Sequence, residues 1–171
     1  MKYLTSLLIT ALLFSACSTR GINTYKSKQN KLLKKFNKQN RTSIPESTKQ
    51  KSTALYKEYV KWRNTPYKYG GDSKYGVDCS SFIQQAYYGA FTIAIPRTTR
   101  EQSNFGYKIS KDRLKVGDMI FFKTAYNERH VGIIIEDGKF VHTSSKNGVS
   151  ISNIDNPYWK QMYWQSRRVL P

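Results

Sequence analysis

The strongest constraint on the fold is a series of short apolar and β-branched runs in the C-terminal half, each bounded by turn residues. Met119–Lys123, His130–Ile135, Lys139–Ser144 and Val149–Ile151 read as strands of a meandering sheet. The chain ahead of them has helical spacing instead. Leu55, Tyr59 and Trp62 recur at steps of four and three, which places them on one face of a helix over Thr53–Asn64 that Thr65-Pro66 ends. Tyr67 to Gly71 is an extended piece closing in a turn. Asp78 caps a second helix whose first residue is Cys79, with Phe82, Ile83, Ala86 and Tyr87 on its apolar side and Gly89 as the stop. Thr98 with Glu101, and Thr99 with Gln102, each fit a capping box for a short helix after Pro96. Asn156-Pro157 opens a last short helix before Arg167–Leu170. Helices first and then a sheet make the fold class α+β, and 171 residues with 39% hydrophobic content suffice for one core.

The N-terminus is a separate region. Lys2, an apolar run from Leu7 to Phe14, and the small residues Ser15 and Ala16 form a signal peptide over residues 1–16. The run is too short for a retained transmembrane helix, which takes about 20 residues. Leu13-Phe14-Ser15-Ala16-Cys17 resembles a bacterial lipobox, with Phe14 where Leu is usual, so Cys17 is expected to be the lipidated first residue of the mature chain. An ordinary secretory signal is the alternative, leaving Cys17 as a free thiol or paired with Cys79. Ser18 after the Cys, in place of the Asp that in lipoproteins signals inner-membrane retention, points to the outer membrane on its periplasmic face. Of the net charge of +18, much sits between Arg20 and Lys51, where ten Lys or Arg stand against Glu46 alone. Residues 17–52 therefore read as a basic flexible tether, in contact with anionic lipid or wall polymer or merely solvated, and 53–171 as the folded domain. Nucleic acid is a poor partner for an exported chain, whatever its charge.

The candidate chemistry centres on Cys79. A thiol at a helix N-terminus meets positive dipole charge and unsatisfied N–H groups, which lowers its pKa. It also needs a base, and the chain offers only His130 and His142. If the intervening loop is Glu136-Asp137-Gly138 with Gly138 left-handed, Ile135 pairs with Lys139 and paired residue numbers sum to 274. The histidines then share a sheet face as diagonal neighbours about 7–8 Å apart at the backbone. A two-residue Asp137-Gly138 turn shifts the sum to 275 and throws them onto opposite faces. A lone Cys is more often a small core residue, and a lone His a satisfied one. Their joint placement is what suggests a nucleophile and its base. Two His and one Cys without close ligand spacing imply no metal, and no cofactor is expected.

Asp78-Cys79-Ser80, His130-Val131-Gly132-Ile133 and Phe140-Val141-His142 resemble the motifs of the NlpC-type cysteine peptidases, and among them the Spr-like murein endopeptidase lipoproteins. Further matches are Tyr67 with Gly70-Gly71, Pro96-Arg97-Thr98-Thr99 with Gln102, Val116-Gly117-Asp118 with Phe121-Phe122, and Pro157-Tyr158-Trp159. The resemblance implies a papain-like core in which Cys79 attacks a peptide carbonyl, His130 is the base and His142 orients it, with Tyr67 directed at the oxyanion. Asp78, Ser80 and Arg97 become candidates for substrate contact, although capping alone explains Asp78 and a surface ion pair alone explains Arg97. Ser81 stands where that family has Gly and is expected to narrow the groove. The implied substrate is peptidoglycan, cut at the D-Ala to meso-diaminopimelate crosslink or at the γ-D-Glu to meso-diaminopimelate bond, by a monomer. An acyltransferase or amidase of related fold and a non-catalytic wall-binding lipoprotein are the rival readings.

Overall fold

A computed structural model describes residues 47–170; the expected signal peptide, Cys17 and most of the expected tether lie outside them. Helix α1 spans Thr48–Trp62 and starts five residues before the expected Thr53. Its signal is local: Ser47 Oγ accepts from the Gln50 amide while the Gln50 side chain accepts from the Ser47 amide, a reciprocal capping box. Residues 48–52, expected in the tether, are thus helical. Leu55 is buried as its spacing requires, and Trp62 meets Phe82 edge-on.

A short ribbon, β1 (Asp72–Ser73) against β2 (Gly76–Val77), leads into helix α2, Cys79–Phe91. Asp78 is the cap and Cys79 the first residue, as the sequence suggests, and the expected apolar face is buried. Gly89, read as the stop, lies inside the helix, which ends at Thr92 in the left-handed conformation. Its real constraint is tertiary: a Cβ at Gly89 would collide with the carboxylate of Glu58, a buried residue of α1. Helix α3, Thr99–Gln102, follows with Thr98 Oγ1 accepting from the Glu101 amide.

The sheet contains β3 (Tyr107–Ile109), β4 (Met119–Ala125), β5 (Glu128–Glu136), β6 (Lys139–Ser144), β7 (Gly148–Asn153) and β8 (Tyr163–Arg168), with α4 (Pro157–Met162) before the last strand. The order is β3-β8-β4-β5-β6-β7, antiparallel at every pairing. Met119 through Phe122 are all buried, so both sheet faces are covered over β4. On one face Ile120, Phe122, Ile134 and Phe140 cluster with Ile154 beneath Leu114, Trp159, Met162 and Tyr163. Helix α2 packs against α1 and against β5 and β6, which brings its N-terminus to the histidine-bearing strands.

The β5–β6 hairpin combines both of the expected alternatives. Glu136 pairs with Lys139 around Asp137-Gly138, with Gly138 at φ 67°, so the turn is the short one. A bulge between Ile134 and Glu136 then restores the sum of 274, and Ile134 pairs with Phe140 and Ile133 with Val141.

Candidate active site

Cys79 opens α2 at 9% exposure, its position set by the cap: Asp78 Oδ1 accepts from the Ser81 amide at 2.7 Å. The sulfur lies 3.6 Å from Thr99 Oγ1 on α3, its side-chain hydrogen-bond partner among the described residues. The dipole argument expects a depressed thiol pKa, and the structure corrects it. Burial pushes the Cys79 thiol up, more than the hydrogen bond from Thr99 pulls it down, and the Asp78 carboxylate adds to the rise. The resting group is therefore a neutral thiol.

His130 on β5 and His142 on β6 meet side by side: His130 Nε2 lies 2.9 Å from His142 Nδ1. The 274 register makes this contact possible by putting both rings on one face. A third residue completes the line, with His142 Nε2 2.9 Å from Ser152 Oγ on β7. Aromatic rings box the pair. Trp159 of α4 stacks on His130 at 5.5 Å and 24° and stands edge-on to His142 at 4.9 Å, while Phe140 lies 5.0 Å from His142. Burial lowers the pKa of His130 to about 4, and burial followed by the charge of His130 lowers that of His142. Both imidazoles are neutral at pH 7, and the Nδ1 of His130 makes no hydrogen bond among the described residues.

Cys79, Thr99, His130, His142, Trp159 and Tyr67 line one cleft of about 1050 Å³. Tyr67 is held by backbone bonds on either side, Lys68 N–H to Val77 O at 3.2 Å and Val77 N–H to Pro66 O at 3.0 Å. Burial, then the neighbouring Cys79, raises its pKa, so its hydroxyl stays a donor.

Asp78, Ser80 and Arg97 are brought together beside the cleft rather than spread along it. The Arg97 guanidinium grips both Asp78 oxygens, at 3.0 and 2.7 Å, and Ser80 Oγ donates to Asp78 at 3.0 Å. Burial alone would raise the Asp78 pKa, but the bonds from Arg97, Ser81 and Ser80 together hold it below the usual carboxylate range. These four bonds anchor the carboxylate at the helix start. Ser81 corrects another expectation: it is fully buried, so it does not narrow the groove, and its Oγ has no hydrogen-bond partner among the described residues.

The sequence assigns no role to Ser152 or Trp159, and to Thr99 only a capping box, whereas the cap of α3 is Thr98. Thr99 and Trp159 stood inside matched motifs. Ser152 lay one residue past the strand expected to end at Ile151; its alternation with Ser150 was the available signal.

The arrangement joins a buried thiol, a neutral imidazole with one unbonded ring nitrogen, and a hydroxyl donor in one cleft, the parts needed for nucleophilic attack on a carbonyl. Comparison with known proteins agrees. The profile of the NlpC/P60 family matches residues 64–168. The chain is similar to a probable endopeptidase of Haemophilus influenzae, 44% identical over 117 residues, covering 67% of this chain and 73% of that protein. It is also similar to the murein DD-endopeptidase MepS/murein LD-carboxypeptidase of Escherichia coli K12, 42% identical over 113 residues, covering 66% of this chain but only 60% of that protein. Among solved structures, an NLP/P60 family protein of Staphylococcus aureus Mu50, described as similar to lipoprotein, superposes with a TM-score of 0.65 at 30% identity, covering 76% of this chain and 45% of that one.

Proposed function

Because the chain belongs to the NlpC/P60 family of cysteine peptidases, we propose that it is a peptidoglycan endopeptidase working through Cys79, His130 and His142, and that it cuts the D-Ala to meso-diaminopimelate crosslink. The observation that carries the reading is the 2.9 Å His130–His142 contact in the cleft that Cys79 also lines. The similarity to a murein DD-endopeptidase supports the choice of bond.

The thiol turns from Thr99 towards His130, and the Sγ proton passes to Nδ1, the nitrogen that His142 leaves open. Sulfur then bonds to the carbonyl carbon. Tyr67 and the Cys79 backbone N–H donate to the resulting oxyanion. As the tetrahedral species collapses, the C–N bond breaks and His130 returns its proton to the leaving amine. Water, deprotonated by His130, attacks the thioester and releases the acid and the thiol. Upstream, Cys17 carries lipid, and the basic stretch between Cys17 and α1 tethers the domain at the periplasmic face of the outer membrane; the lipobox-like run and the charge of that stretch support this.

Digestion of purified peptidoglycan by the protein and by Cys79→Ala, read by mass spectrometry, tests the reading. Crosslinked dimers converted to monomers only by the native protein are expected. Stem peptides truncated after D-Glu would move the assignment to the stem bond, and no Cys79-dependent product would overturn it.

A further inference from the structure

The mechanism requires one particular arrangement of protons along the histidines. For Nδ1 of His130 to receive the thiol proton while the ring is neutral, its own hydrogen must be on Nε2, where it faces His142 Nδ1 at 2.9 Å. His142 must then present a bare Nδ1, so its hydrogen is on Nε2, where it faces Ser152 Oγ at 2.9 Å. The opposite tautomer of His142 would set two N–H groups against each other. Neither ring escapes by turning, because Trp159 and Phe140 cover their faces.

We propose that Ser152 is a positioning residue: by accepting the Nε2 hydrogen of His142 it supports the tautomer that leaves His142 Nδ1 bare, and through it the tautomer that makes His130 a base. The inference rests on the proposed peptidase reading for its catalytic consequence, but the tautomers themselves are observable without substrate. Strand pairing supports the role. Ser152 is opposite Phe140 on β7 and so lies diagonally from His142 on the same sheet face, a place fixed by a register that keeps 292 as the sum along the whole β6–β7 pair. The backbone that places His142 therefore also places its acceptor.

The test uses the full chain labelled with ¹⁵N, as native protein, Ser152→Ala and Ser152→Thr, with long-range ¹H–¹⁵N correlation spectra of the two imidazoles and turnover of purified peptidoglycan. Native protein is expected to show hydrogen on Nε2 of both rings and bare Nδ1 positions. Ser152→Ala should mix the His142 tautomers and lower turnover by about tenfold or more, the scale at which an outer partner of an essential histidine acts. Ser152→Thr, which keeps the hydroxyl, should restore both the spectrum and the rate. A native His142 with its hydrogen on Nδ1, or a Ser152→Ala protein with native spectrum and native rate, would overturn the proposal. If native protein fails to cut peptidoglycan, the peptidase reading falls while the spectra still decide the tautomer assignment.

Discussion

Two polar clusters flank Cys79, and they are built on opposite principles. At the start of α2, Asp78, Arg97 and Ser80 form a charged knot, with guanidinium bonds of 3.0 and 2.7 Å to the two carboxylate oxygens. Across the cleft, His130, His142 and Ser152 form an uncharged line packed among aromatic rings, with the Nδ1 of His130 left open. The first cluster gains from staying ionised and fully bonded, which suits a fixed helix start. The second gains from staying neutral, which suits a group that must take a proton and give it back. Charge sits where nothing moves, and neutrality sits where a proton does.

Removing His130 should break the comparison most severely. His130→Ala is expected to lower turnover on peptidoglycan by about 10³-fold or more, the scale of a lost general base in a nucleophile–base pair. Folding should be retained, since the ring carries no charge that another buried group needs. Near-native turnover in His130→Ala would sink the proton-transfer role.

Acid sharpens the contrast, because the clusters respond in different windows. His130 binds its proton near pH 4 in the folded protein and near 6.5 when unfolded. The unfolded state thus holds more protons between those values, and stability contributed by the neutral pair is present above pH 6.5 and lost as pH falls towards about 4. Asp78, whose folded pKa is depressed, keeps its contribution above the ordinary Asp value and loses it only below. The acid limb of kcat/KM should accordingly lie near pH 4, and a pH–rate profile with its limb at 6.5 would mean that water reaches His130 freely. On the alkaline side, alkylation of Cys79 should continue to rise above the ordinary thiol pKa, because burial opposes the thiolate.

Arg97 tests the charged knot. Arg97→Met leaves Asp78 buried without its counter-charge, and the expected cost is about 2 kcal/mol, at the low side for a broken ion pair because the Arg97 side chain is 37% exposed. Turnover of the folded fraction should fall far less than in His130→Ala. An unchanged melting curve with a raised KM would return Arg97 to the substrate.

These contrasts also mark what was legible in the sequence. Cys79 at a helix start could be read because the cap that creates it, Asp78, is its neighbour. The shared face of the histidines could be read because strand periodicity is local, although the bulge that reconciles a two-residue turn with the 274 register carried no signal of its own. What escaped was set by distant partners. Gly89 read as a stop because its true neighbour, Glu58, is on another helix. The thiol pKa was misjudged because the dipole belongs to α2 alone, whereas the desolvation that outweighs it comes from the whole fold. The early start of α1 was missed for another reason: the Ser47–Gln50 capping box sits in a polar, basic stretch whose composition suggests a linker.

Ser81 gives the smallest expected effect and sets the boundary between the two clusters and the core. Its amide belongs to the charged knot, donating to Asp78, while its hydroxyl is buried without a hydrogen-bond partner among the described residues. Ser81→Ala keeps the amide and removes only the hydroxyl, at the third residue of α2, where Ala is also the better helix former by a few tenths of a kcal/mol. Relief of the buried hydroxyl adds to that, for an expected gain of about 1 kcal/mol, or a melting temperature higher by about 3–5 °C in a folded unit of this size. Turnover should not change, because Ser81 is fully buried and is not among the residues that line the cleft with Cys79. Loss of stability in Ser81→Ala would mean that the hydroxyl is bonded after all, and loss of turnover at native stability would mean that it reaches the thiol. Either result would place Ser81 in the machinery around Cys79 instead of in the packing behind it.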